Sequence, residues 1–520
     1  MQLINTKSAY GALFTTFSPA YERFIANLRN PNERQLRIFR ETIQKNKETI
    51  FGKEHGFTDS MTLEDFRKNV PIRKYEDIMG YILMIAEGKK SVLTIDDVLL
   101  LEPTSGSSSA SKLIPYTASL KRQFQEGVFP WIADLIKKKP ISNGKFYWSI
   151  SPASNQNTTT AGGISLGYGD DVSYFPEKIH SELNELSIVP FSLASIANMH
   201  DYRISTLTNL LQDENLSFIS VWNPSFLTTF IDYLKEHQEE IIKRLPKKRR
   251  GEVKRILKDQ NPNFAELWKN NLKLISCWTD ANAIYSVKGL RRMFPTTEIQ
   301  GKGLMATEGI VSIPIIGYEN PILAFNSHFF EFRDIENNEV ALTDEVKKNR
   351  RYEVIMTTAG GLYRYNIEDI VEVSDFAGKT PMLKFLGRNN SYSDFFGEKL
   401  HEAEVNAVLE KSLKKNNISP EFILVAPEIT GLKPHYLVFI HTQNRIKPGL
   451  QKSIEEGLCQ NYHYRYCRRL GQLGELEIVQ VNENAQKRYQ EQMLLDGKKL
   501  GNIKPQTLST KTNWREKLCS

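Results

Sequence analysis

The segment Thr104-Ser-Gly-Ser-Ser-Ser-Ala-Ser-Lys112 gathers hydroxyl groups around a single glycine and ends on a lysine. Gly106 allows a tight turn, the N–H and O–H groups can converge on phosphate oxygens, and Lys112 adds positive charge. A flexible serine-rich linker is the competing reading. The flanks favour a binding loop, because a strand-like run from Leu99 leads in and Leu113-Ile-Pro-Tyr116 leads out. A P-loop of the G-x-x-x-x-G-K-[ST] type is excluded, since it needs a second glycine and a hydroxyl where this chain has Ser111 and Leu113.

Two further segments carry carboxylates where a nucleotide site would use them. Thr307-Glu308 precedes Gly309 and the apolar run Ile310 to Ile316. The pair reads as a plain turn or, in an ATP site, as a hard oxygen ligand for magnesium. Asp369 closes Tyr363-Arg-Tyr-Asn-Ile-Glu-Asp between apolar runs, where its carboxylate could accept hydrogen bonds from both ribose hydroxyls. Arg364 and Asp369 could equally form a surface ion pair.

In this order and at these separations, the three segments resemble the adenylate-forming enzymes. The chain is similar in particular to the Gretchen Hagen family of acyl acid amido synthetases, in its bacterial branch. The likeness runs nearly end to end, through Ile50-Phe-Gly-Lys-Glu-His-Gly-Phe57, Tyr147-Trp-Ser-Ile-Ser-Pro152, Gly163 to Asp171, Ile219-Ser-Val-Trp-Asn-Pro224 and Ala306-Thr-Glu-Gly309. The resemblance implies that Ser105, Gly106, Ser107, Ser108, Ser109 and Lys112 bind phosphate. It implies that Thr307 and Glu308 serve nucleotide and magnesium, that Asp369 holds the ribose, and that Thr279, Asp280 and Ala281 line the adenine and acyl sites. Arg388 then begins an interdomain hinge, and Lys399 and Lys504 are the lysines of a mobile domain. Two departures stand out: Ser109 replaces a second loop glycine, and Asn366-Ile-Glu replaces the family's Arg-Val-Gly before Asp369. Serine costs more than glycine wherever φ is positive.

The elements that must position these groups are those of an α/β protein. Short apolar runs, Phe218-Ile-Ser-Val-Trp and Leu272-Lys-Leu-Ile-Ser, alternate with longer helical stretches, and Asn32 to Lys47 has the period of an amphipathic helix. After Arg388 the pattern is α+β: helices over 402–415, 449–461 and 486–495, and three amphipathic strands at 422–426, 436–441 and 476–481, with helices expected on one face. Residues 1–388 are thus expected to form a large ATP- and acyl-binding domain and 389–520 a smaller mobile one, a division that 520 residues can support.

Composition narrows the partners. A net charge of +7 with basic and acidic residues interspersed does not imply nucleic acid. The basic stretch Lys243 to Lys258 reads as a solvated helical hairpin around Pro246. No run approaches the roughly 20 apolar residues of a membrane span, the first residues do not read as a secretory signal, and a cytoplasmic protein is expected. Four scattered cysteines signal neither disulfides nor zinc.

The expected reaction uses ATP and Mg2+ to convert a small carboxylic acid to an acyl adenylate, then passes the acyl group to an amine, by the resemblance an amino acid. The helix after the loop, with Arg122, Phe124, Gln125, Phe129 and Trp131, is the expected wall of the acid pocket. An acyl-CoA ligase and an inactive nucleotide-binding scaffold are the alternatives. Oligomeric state is not legible.

Overall fold

The computed structural model of the chain describes residues 6–104, 112–149, 159–167, 171–196, 198–281, 283–388, 392–429, 433–498, 503 and 506–519. The amphipathic helix expected from Asn32 runs Pro31–Lys45 and buries Ile38, Phe39 and Ile43. Pro31 stands in its first turn, where a missing N–H costs nothing.

Four strands, Lys145–Trp148, Leu216–Ser220, Leu274–Cys277 and Glu298–Gly301, pair in chain order as a parallel sheet. Their connections carry helices, among them Pro224–Glu236 and Ala283–Met293, as parallel pairing requires. The Leu216–Ser220 and Leu274–Cys277 strands are buried along their length, so they read as continuous apolar runs. A seven-stranded sheet lies beside this unit, its centre built from Phe329–Asp334, Arg351–Thr357, Tyr365–Ala377 and Thr380–Arg388, all antiparallel. Asp369, expected to close a segment between two apolar runs, lies inside the single long Tyr365–Ala377 strand, at a bulge.

The Lys243 to Lys258 stretch forms two helices, Gln238–Arg244 and Lys247–Leu257, separated by Pro246. It is not solvated throughout. Arg249 is fully buried, donates to the carbonyls of Leu211 (3.0 Å) and Leu267 (2.6 Å), and pairs with Glu214 and Glu252. Five guanidinium donors let one arginine satisfy several acceptors, which is how a buried cation is tolerated.

Beyond 392, a three-stranded sheet of Phe422–Glu428, His435–His441 and Glu477–Gln480 carries helices Glu402–Lys415, Pro448–Leu458 and Ala485–Leu495. The expected one-sided packing is corrected: both faces are covered. Ile423, Val425, Val438 and Ile440 pack on Val405, Leu409 and Ile454, while Leu424, Phe439, Tyr489 and Trp514 join the large core built from the preceding part of the chain. The two strands Phe422–Glu428 and His435–His441 are buried along nearly their whole length and so carry no polar alternation, whereas the edge strand Glu477–Gln480 has exposed ends. Among the described residues, no helix is long and apolar enough to cross a membrane.

Candidate active site

The strands Leu100–Pro103 and Leu113–Tyr116 pair antiparallel, with Pro103 opposite Leu113, and the Thr104 N–H donates to the Lys112 carbonyl at 2.8 Å. They hold the base of the serine-rich loop. Ser105, Gly106, Ser107, Ser108 and Ser109 lie outside the described residues. Lys112 projects toward the Glu368 carboxylate, 3.7 Å away, and over the ring of Tyr75.

Tyr116 links this hairpin to the second segment, its hydroxyl donating to the Thr307 carbonyl at 2.6 Å. Thr307 and Glu308 form the turn between the paired strands Met305–Ala306 and Gly309–Ile310, as the plain-turn reading expects. The turn is seated on His328, whose Nε2 accepts the Ile310 N–H at 3.2 Å while Nδ1 meets Gln123 Oε1 at 2.9 Å. Gln123 Oε1 also accepts from the Ala359 N–H at 2.8 Å. The ring therefore carries its proton on Nδ1 and stays neutral, and burial pushes its pKa down to about 3. Glu308 is buried at the turn, at 7 % exposure.

Asp369 sits opposite Arg388 across the antiparallel pair, and the Arg388 Nε donates to its carboxylate at 3.0 Å. Asp369, together with Glu308 and Glu368, raises the Arg388 pKa against the opposing effect of burial. The alternative of a surface pair with Arg364 is corrected: Arg364 is buried and bonds Glu331 at 2.9 Å and the Val70 carbonyl at 2.9 Å. Asp280 accepts the Phe385 N–H at 3.3 Å, and burial raises its carboxyl pKa. Thr279 and Ala281 flank it after the Leu274–Cys277 strand, Ala281 with φ of 49°. Lys399 is exposed, and Lys504 lies outside the described residues.

A cavity of about 240 Å³ opens beside Thr307. Its walls are aromatic, from Phe124, Trp131, Trp148, Tyr174, Trp222 and Trp278, and Gln125 also lines it. Among its described lining residues Glu102 is the only charged one. Arg122 is not part of the lining and donates to Ser119 Oγ at 2.7 Å. Three of the tryptophans end or follow strands of the parallel sheet, Trp148 at the end of Lys145–Trp148, Trp222 after Ser220 and Trp278 after Cys277. They thus stand at the carboxyl edge, where open α/β sheets bind ligands.

Behind three of these rings lies Lys302, 1 % exposed, its Nζ donating to Ser220 Oγ at 2.6 Å. The ammonium is 4.8, 5.7 and 5.3 Å from the ring centroids of Trp131, Trp148 and Trp222. Burial pushes its pKa down to about 7. Sequence reasoning passed over Lys302, His328 and Gln123. Trp148 and Trp222, at or just past the ends of parallel strands, were the available signal, but only the tertiary fold brings them, with Trp131, round one lysine.

The arrangement brings together a lysine at the base of the serine-rich loop, a turn carrying a carboxylate, an Arg-braced carboxylate and an apolar cavity. Glu308 supplies an oxygen of the kind magnesium prefers, so the donor chemistry fits that ion. Family comparison matches the chain in three consecutive parts: the GH3 family N-terminal domain over residues 20–299, the GH3 family central domain over 321–388 and the GH3 family C-terminal domain over 403–513. Among curated relatives, jasmonoyl-L-amino acid synthetase JAR6 of Nicotiana attenuata is 25% identical over 73% of each chain. Among solved structures, AtGH3.15 acyl acid amido synthetase in complex with 2,4-DB superposes with a TM-score of 0.80 at 19% identity, over 94% of each chain. A 2-hydroxyisobutyryl-CoA ligase in the postadenylation state, in complex with R3-HIB-AMP, superposes with a TM-score of 0.56 at 11% identity, over 92% of this chain and 89% of that one.

Proposed function

The chain belongs to the GH3 family, and from that premise we propose that it uses ATP to activate an apolar or aromatic carboxylic acid as an acyl adenylate and transfers the acyl group to an amino acid. The observation that carries this reading is the Tyr116–Thr307 hydrogen bond. It joins the lysine-ended loop and the Glu308 turn at the mouth of an aromatic cavity. The acid's carboxylate oxygen bonds to the α-phosphorus and pyrophosphate leaves. The amine nitrogen then bonds to the carbonyl carbon, loses a proton and expels AMP.

Lys112 faces the phosphates and offsets charge that grows on them in the transition state. Asp369 accepts from the ribose hydroxyls, and Arg388, hydrogen-bonded to its carboxylate, holds it in place. Glu308 with Thr307 would hold magnesium, which when bound neutralises phosphate charge. The cavity walls take the acid's body, and the absence of a cation from the described lining favours an uncharged tail. Residues 389–520 move as the small domain between the two steps, with Lys399 and Lys504 presented in turn.

The test is acid-dependent pyrophosphate release from ATP across aromatic, indolic and fatty acids, with amino acids or coenzyme A as acceptor. An amide product supports the reading, whereas a thioester moves the chain to the ligase reaction. ATP binding without release for any acid would leave a nucleotide-binding scaffold.

A further inference from the structure

The residue before Asp369 is built unlike anything the proposed reaction requires. In the Tyr365–Ala377 strand, Asn366 pairs with Ile355 and Ile370 with Glu353, so three residues, Ile367 to Asp369, oppose Val354 alone. Glu368 occupies that bulge with φ of 62°. This is a conformation glycine adopts freely and glutamate only at a cost in backbone strain. It is also the position at which the family pattern carries glycine. The Asn366 side chain accepts the Glu368 N–H at 2.7 Å, and Asn366 Nδ2 donates to Glu353 at 3.1 Å, which fixes the turn.

The side chain so placed is 7 % exposed and its two oxygens face two cations. Oε1 lies 2.8 Å from Lys74 Nζ and Oε2 lies 3.7 Å from Lys112 Nζ. Lys74 caps the helix Tyr75–Ala86, whose first residue, Tyr75, receives the Leu113 N–H on its hydroxyl at 2.8 Å and underlies the Lys112 ammonium. A lone carboxylate beside a triphosphate would repel it. Flanked by two lysines, it instead leaves that group of three net positive while restraining a side chain that has four rotatable bonds.

We propose that Glu368 is a positioning residue: its carboxylate, delivered by the bulge, tethers Lys112 against Tyr75 and Lys74 so that the loop lysine presents its charge to the ATP phosphates. The proposal rests on the adenylation reading. Glu368 stands in for a restraint that a glycine at this place could not supply, and it is specific to the Asn-Ile-Glu departure.

The experiment is calorimetric ATP binding to the full chain, which needs no knowledge of the acid. E368Q keeps the shape and removes the charge, and E368G takes the same backbone without strain and guards against misfolding of the first variant. Each is expected to weaken ATP binding at least about fivefold, the order of one restrained charge-assisted contact. In a K112M background, E368Q is expected to change nothing further, and where turnover is measured the KM for the acid stays unmoved. ATP binding by E368Q and E368G that equals or exceeds wild type, or an equal loss in the K112M background, would overturn the proposal. Wild-type chain that fails to bind ATP sinks the adenylation reading itself and this proposal with it.

Discussion

At the scale of single residues, the chemistry divides between groups that must be charged and groups that burial keeps from being so. Asp369 belongs to the first kind: it is 1 % exposed and its carboxylate is paired with the Arg388 guanidinium at 3.0 Å. D369N keeps the shape and is expected to raise the KM for ATP about tenfold, the effect of one charge-assisted hydrogen bond; an unchanged KM in a pyrophosphate-release assay would remove it from the ribose. E308Q should lower acid-dependent pyrophosphate release about 100-fold, in keeping with loss of an electrostatic stabiliser, and wild-type rates would end its metal role. Lys302 belongs to the second kind. Its pKa falls from the ordinary 10.5 to about 7, so between these values the unfolded chain holds a proton that the folded chain has shed. Stability therefore rises with pH across that window, and the penalty is complete below it. The surrounding tryptophan faces recover part of the cost. K302M is expected to stabilise the fold by roughly 1–3 kcal/mol near neutral pH, with the gain shrinking toward pH 10.5 in thermal melts. A gain independent of pH would mean that the ammonium is not the cause.

Among elements, the turn that carries Thr307 and Glu308 depends on its seat more than on its own sequence. A Cβ added at Gly309 would lie 2.5 Å from His328 Nε2 and 2.6 Å from Met356 Cε. G309A is therefore expected to cost about 1–3 kcal/mol by overpacking and to depress adenylation beyond what the stability loss explains, since the turn must lift off His328. Melting temperature and pyrophosphate release measured together decide it; a variant with both unchanged would show that the turn tolerates displacement. The elements legible in advance were those with strong local signals. The loop-flanking strands, the amphipathic helix near 31–45 and the helix Glu402–Lys415 stand where periodicity put them. The bulge at Glu368 was not legible as such, although the Asn-Ile-Glu departure marked the spot, because a bulge is defined by the partner strand it outruns.

On the scale of the whole molecule, the C-terminal sheet is held to the larger unit by more than a linker. Gln490 is buried and bonds Thr229 and Ser225, at 2.5 and 2.6 Å, Lys487 pairs with Glu236, and Arg292 pairs with Glu421. If residues 389–520 rotate between the two steps, these bonds break each cycle. A T229C/Q490C pair joined by a short bifunctional thiol reagent is then expected to permit one half-reaction and block the other, read as pyrophosphate release against amide formation; equal rates with and without the cross-link would rule rotation out. The sequence by itself determined the α/β class, the strand-loop-strand that frames Lys112, the order of the chemical segments and, through the resemblance, the family, because each is written in local composition and spacing. Only the tertiary structure decided that Arg364 serves Glu331 and leaves Asp369 to Arg388, that Arg122 turns from the cavity lined by Phe124 and Gln125, and that three tryptophans enclose Lys302. These are pairings between residues up to hundreds of positions apart, and the partner of a charge or the wall of a cavity exists only once the chain has closed on itself.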